Sequence, residues 1–228
     1  GWFTRKTTLN ISFNYRHLSN GIESYSRLIG AGGEYFDDGK HYAAPGAIYT
    51  TYLNVGRVER TAVDIYYKWN ITSKLWMTLN TGVAYVDLRD PSRQLQNHGW
   101  SGNAALNLSW RLPADFSLYA ILSGSTKSIT LQGSADGIVY NYFSLSRSFL
   151  RNKRLTVSLR AADPFHKWLT RTTYTQGTGY HSQADRRYSR QSFSIGISYR
   201  LGDMKYSKTK RSMHSIYNGD LKTAPTEK

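Results

Sequence analysis

FSIGISYRLG, residues 193–202, decides the fold. Phe193, Ile195, Ile197, Tyr199 and Leu201 are apolar or aromatic, and Ser194, Gly196, Ser198 and Arg200 lie between them. Strict alternation places the two sets on opposite faces of an extended strand. The apolar face must meet either a protein core or lipid, and the rest of the chain decides which.

The same period-2 pattern recurs along most of the 228 residues. Leu9, Ile11, Phe13 and Tyr15 alternate with Asn10, Ser12 and Asn14. Val63, Ile65, Tyr67 and Trp69 alternate with Asp64, Tyr66 and Lys68. Leu75, Met77, Leu79, Val83 and Tyr85 share a face, as do Leu106, Leu108 and Trp110, then Phe116, Leu118 and Leu122, then Leu155, Val157 and Leu159. No stretch carries a helical period, and no run approaches the ~18 apolar residues of a membrane-spanning helix. Barrel strands escape that criterion because alternation dilutes their apolarity.

Composition narrows the class further. Aromatics reach 14%, with 18 Tyr and 6 Trp, which suits pleated surfaces and membrane interfaces. The absence of cysteine excludes disulfides, thiolate metal sites and thiol nucleophiles. The formal net charge of +15 is scattered over strand ends and turns, as at Arg151, Lys153 and Arg154. A nucleic-acid footprint would be a stripe or patch, so no nucleic-acid partner is expected. The chain begins at Gly1 and shows no signal peptide, as a processed chain or a piece of a longer one would.

Short and long connections alternate. Tight turns are expected at 72–74, 113–114 and 151–153, and long polar loops at 30–46, 90–97 and 124–137. Short turns at one rim and long loops at the other are the pattern of an outer-membrane barrel. The last hairpin turns at TQGTGY, residues 175–180, and Pro164 in ADPF predicts a bend in its first arm. Eight strands follow, roughly 6–29, 47–71, 75–89, 98–112, 116–132, 136–150, 154–174 and 181–201, with irregularities at 19–21 and near Gly56. Residues 203–228 are polar, basic and aperiodic, and read as a flexible periplasmic tail after a barrel segment of 1–202.

Three features choose lipid over a core. The polar face is rich in Ser, Thr, Asn, Gly and Ala rather than charge. Trp69 and Trp76, Trp110 and Phe116, and Phe149 gather beside the tight turns as an interfacial girdle would. The final strand is apolar and aromatic throughout one face. The expected fold is an all-β, antiparallel up-and-down transmembrane β-barrel in the bacterial outer membrane.

SRSFLRNKRLTVSLRAADPF (146–165) followed by RRYSRQSFSIGISYRLG (186–202) resembles the end of the barrel in TonB-dependent-receptor-like outer-membrane proteins. The shared features are a basic–Ser–Phe turn, a strand ending in Asp plus an aromatic, a basic stretch with SR, and a last strand closing in Tyr-Arg-aromatic-Gly. Leu201 stands in place of that final aromatic. YLNVGRVERTAVDIYYKWNIT (52–72) is similar to the family's Asn-x-Gly strand, although Thr61-Ala62-Val63-Asp64 matches its Gly-x-Glu weakly. The resemblance implies a larger parent barrel with an internal plug that imports nutrients on inner-membrane energy. It makes this chain the barrel's C-terminal wall, since no stretch reads as a plug or energy-coupling box. A self-contained eight-stranded barrel serving as anchor or adhesin is the alternative, and a soluble carbohydrate-binding β-protein is a third. Pairing of residues 9–15 with 193–201 discriminates the first two.

The site residues follow from the faces. Phe193, Ile195, Ile197, Tyr199 and Leu201 are expected to face lipid. Asp64, Lys68, Arg111, Arg160 and Arg200 are expected to line the lumen. Arg186, Arg187 and Arg190 are candidates for lipopolysaccharide phosphates. Glu34, Asp37, Asp38 and His41 cluster in the first loop without EF-hand spacing. Asp163, His166, His181 and Asp185 flank the last hairpin without a nucleophile motif, so no enzyme, cofactor or metal is expected. The expected partners are outer-membrane lipid and lipopolysaccharide and, if the chain is a fragment, the remainder of a larger barrel with its plug; a surface lipoprotein is a further candidate.

Overall fold

The computed structural model describes residues 1–36 and 39–201, so Asp37, Asp38, Gly202 and the expected 203–228 tail lie outside the described residues. The strands among them are β1 (Trp2–Phe3), β2 (Thr7–Leu28), β3 (Glu34–Phe36), β4 (His41–Ala43), β5 (Ile48–Asn70), β6 (Leu75–Asp90), β7 (Leu95–Arg111), β8 (Phe116–Ser125), β9 (Ser128–Thr130), β10 (Gly133–Ala135), β11 (Val139–Phe149), β12 (Leu155–Ala162), β13 (Trp168–Gly177), β14 (Tyr180–Ser189) and β15 (Ser192–Tyr199). A nine-stranded sheet runs β1-β2-β5-β6-β7-β8-β11-β12-β15, and every adjacent pair in it is antiparallel.

Register carries one apolar face across the whole sheet. Phe13 lies opposite Val63 and Val63 opposite Val83; Leu79 lies opposite Leu106, and Leu106 opposite Leu122. Leu118 pairs with Leu145, Leu145 with Leu159, and Leu159 with Ile195. A shift of one residue anywhere would exchange the two faces, so the matched phase of eight strands is itself a fold determinant. The apolar face is uncovered: Phe13, Ile195 and Ile197 are 70%, 72% and 74% exposed. In a water-soluble sheet such a face would be packed.

The tight turns share local chemistry. Thr4 Oγ1 accepts from Lys6 N and Thr7 N, at 3.2 and 2.9 Å. Thr72 Oγ1 accepts from Lys74 N and Leu75 N, at 3.1 and 3.0 Å. These hydroxyl-capped turns let the backbone reverse without unpaired N–H groups. Lys153 Nζ lies 2.6 Å from Asp115 and ties the next two turns together. Beside them, Trp69, Trp110, Phe116 and Phe149 stand on the apolar face, and the Arg147 guanidinium sits 4.9 and 4.8 Å from the Phe116 and Phe149 rings. Trp76 does not join this girdle: it lies opposite Asn70 and Ser109 on the polar face, because Leu75 and Met77 take the apolar one.

A second aromatic belt, Tyr15, Tyr85 and Trp100, stands towards the other rim, with Tyr85 and Trp100 in edge contact at 5.2 Å. Residues 100–110 of β7 span the distance between the belts, matching the ~9–11 residues with which a tilted strand crosses a bilayer.

Beyond the second belt the expected loops prove more ordered. The 90–97 segment is no long loop: β6 and β7 extend to Asp90 and from Leu95, leaving a 3₁₀ turn at Pro91–Arg93. The 116–132 strand ends at Ser125, where Thr126 N turns to donate to Gly102 O and the chain doubles back through β9 and β10. The last hairpin turns with Gly179 at φ +80, in the expected place, but β13 and β14 leave the main sheet and join β10 and β9 in a four-stranded sheet. At the expected irregularity, Asn20 adopts φ 60 and the β2–β5 ladder skips it and Gly56 without changing register.

Candidate functional site

The polar face carries hydroxyls, amides and cations. Asp64 sits between Ser12 and Gly82 in register, and Asn14 Nδ2 donates to Asp64 Oδ2 at 2.8 Å. A Cβ on Gly82 would lie 2.3 Å from Asp64 Oδ1, so glycine is what lets the carboxylate lie flat on this face. Lys68 lies between Thr8 and Thr78, Arg111 opposite Ser117, and Arg160 between Ser144 and Ser194. All four share the polar face: Asp64 and Lys68 stand on β5, Arg111 on β7 and Arg160 on β12. Arg200 and Leu201 follow the end of β15, and Arg200 N donates to Arg154 O at 2.8 Å. The β15 residues Phe193, Ile195, Ile197 and Tyr199 share the apolar face with Leu155, Val157, Leu159 and Ala161. The sequence reading passed over Arg16 and Arg60, which oppose each other at the outer end of the polar face. A cavity of about 200 Å³ beside Arg60 adds Lys127, Arg171 and Asp136. Cations therefore dominate this end of the face.

The outer end of that face is closed by the chain's own loops. Val55, Leu88 and Leu131 form a buried cluster with Val58, Val86, Leu95 and Ile129 around it. Over it, Gln132 clamps β2: its Oε1 accepts from Ser26 N at 2.6 Å and its Nε2 donates to Ser26 O at 2.8 Å. Tyr180 Oη donates to the same carbonyl at 2.9 Å, and burial pushes the Tyr180 phenol up from its ordinary value. A side-chain amide thus does for Ser26 what a neighbouring strand would do. Asp90 is 2% exposed and caps the adjacent 3₁₀ turn, accepting from Ser92 N at 3.2 Å and Arg93 at 2.7 Å. Burial pushes its carboxyl up, but the hydrogen bonds from Ser92 and Arg93 prevail and hold it below the ordinary carboxylate value.

Asp163 marks the point where β12 stops and the hairpin departs. It holds φ 44, its Oδ1 accepts from Asn141 N at 2.8 Å, and Arg190 Nε lies 3.1 Å from Oδ2. Arg190 is thereby committed to an internal ion pair, unlike Arg186 and Arg187 on the exposed hairpin. Asp163 and His166 line one cavity of about 300 Å³, His181 another of about 470 Å³, and Asp185 is met by Gln183 Nε2 at 3.3–3.4 Å. The four do not form one acid–base unit. In the first loop, Glu34 pairs with Arg27, whose hydrogen bond lowers the carboxyl. Among the described residues no group of three or more His, Asp or Glu could hold a metal.

An uncovered apolar face bounded by two aromatic belts, a polar face of hydroxyls, amides and cations, short turns at one rim and ordered loops at the other define a transmembrane β-barrel wall. A family model described as the outer membrane protein beta-barrel family matches residues 2–199, so the chain belongs to that family and to the bacterial outer membrane. Neither the curated proteins nor the solved structures yielded a match.

Proposed function

We propose that the chain is wall and outer-loop structure of a larger, TonB-dependent-receptor-like nutrient transporter. The observation that carries this reading is the state of the two sheet edges. β1 takes the first residues of the free edge of β2, with Trp2 opposite Leu9 and Phe3 opposite Thr8, across a hydroxyl-capped turn like that at 72–75. This two-residue pairing favours another antiparallel stave, rather than β15, along the rest of the β2 edge. The free edge of β15 has no strand partner among the described residues. Unpaired backbone at membrane depth is untenable in lipid, so both edges call for further strands. The cationic outer end of the polar face suits a path for anionic solutes.

A second reading, the self-contained eight-stranded anchor or adhesin, draws on the Gln132–Ser26–Tyr180 clamp, which joins the outer loops of the later strands to β2. Refolding residues 1–201 alone into lipid vesicles separates the two. The transporter-wall reading expects no heat-modifiable, protease-protected species. A small barrel would give one.

A further inference from the structure

The apolar face holds a groove at a particular level. Phe143 lies opposite Ala161 and Ala161 opposite Phe193, so one small side chain separates two rings on three adjacent strands. The hollow continues over Leu118, Leu145, Leu159 and Ile195 and encloses about 520 Å³. Phe165 meets Phe143 edge to face at 5.7 Å and extends the wall outward.

Two residues beyond Phe143 and Ala161, Asn141 on β11 and Asp163 just past the end of β12 open a second cavity of about 300 Å³, lined also by His166, Trp168 and Arg190. Trp168 carries two cations on its ring, Arg187 at 4.7 Å and Lys167 at 5.7 Å. Asp163, the acid of this cavity, is engaged with Arg190, and among the described residues Lys167 and Arg187 have no carboxylate partner. An acyl-sized apolar groove therefore runs up to an aromatic–cationic pair at the height where an interfacial Trp sits.

We propose that this is a built seat for a phosphorylated, acylated lipid of the outer leaflet. One acyl chain lies over Ala161 between Phe143 and Phe193, and the phosphate is held by Lys167 and Arg187. Charge complementarity selects the occupant: cations at a membrane surface attract anionic headgroups, and a neutral lipid would leave them unmatched. Arg190 acts as a positioning residue that fixes the junction. The proposal rests on the apolar face meeting lipid.

The test uses the complete barrel protein in detergent micelles with bisphosphorylated lipid A, its phosphate-free counterpart and inorganic phosphate as probes, read by native mass spectrometry. The phosphorylated lipid should be retained, the phosphate-free lipid weakly, and inorganic phosphate should not displace it. Lys167→Gln with Arg187→Gln should weaken retention by roughly fivefold per cation lost, and Ala161→Phe, which fills the groove, should weaken it in a protein with both cations intact. Wild-type retention should also fall with rising salt. Equal retention of the phosphate-free lipid, salt-independent retention, or full displacement by inorganic phosphate would overturn the seat. Heat-modifiable migration of the same samples reports the barrel separately, so loss of the fold and loss of the seat give different results.

Discussion

Gln132 is the residue on which the outer rim turns, and nothing in its neighbourhood announces it. TLQGS, residues 130–134, reads as a polar loop, because the group it satisfies, Ser26, is 106 positions away. Truncating Gln132 to Ala leaves the buried Ser26 N–H without its acceptor, at about 1–3 kcal/mol, while Ser26 O keeps the Tyr180 hydroxyl. Hydrogen exchange at Ser26 should accelerate while exchange in residues 61–69 stays unchanged. Asp90 has a pH signature. Its folded-state value is depressed below its ordinary 3.8. Its contribution is therefore present above about pH 4 and lost as pH falls through the folded value. Denaturation midpoints between pH 5 and pH 2 should fall more steeply for the wild type than for Asp90→Asn, which never has that contribution. Neither residue belongs to a sequence motif, since their meaning lies in non-local partners.

At the scale of elements, alternation made the strands legible because each strand is half in contact with lipid and half with a polar interior. Leu106 and Asn107 show how sharp the division is. Leu106 lies between Leu79 and Leu122, and Asn107 between Thr78 and Ile121 on the other face. Leu106→Arg should destabilise the barrel in vesicles by about 2–4 kcal/mol near the bilayer midplane, whereas Asn107→Arg should cost much less, measured by urea titration of the folded protein. What alternation cannot show is where a strand leaves its sheet. Pro164 in ADPF marks a bend in the 154–174 arm but not a change of sheet, and β13 joins β10 because Asp163, at φ 44, turns the backbone and anchors it to Asn141 and Arg190. Asp163→Ala loses both anchors and is strained at that φ. It should expose the 168–189 hairpin to proteinase K, and Asp163→Asn, which tolerates positive φ and keeps an acceptor for Asn141, should protect it in part.

For the whole molecule, the fold class and the membrane follow from matched phase across eight strands, and the family match over residues 2–199 agrees. The lumen was harder to read. Register assigns Asp64, Lys68, Arg111 and Arg160 to one face, but the cation-rich outer end of that face depends on loops that fold back over it. The edges matter most, because they separate a wall from a closed small barrel. Disulfide trapping in outer membranes of cells producing the full protein tests this most directly. Cysteine at Ser12 should cross-link with cysteine at Asp64, its register partner on β5. It should fail to cross-link with cysteine at Ser194, Gly196 or Ser198 of β15. Efficient bridging between β2 and β15 would contradict the wall account and identify a closed eight-stranded barrel.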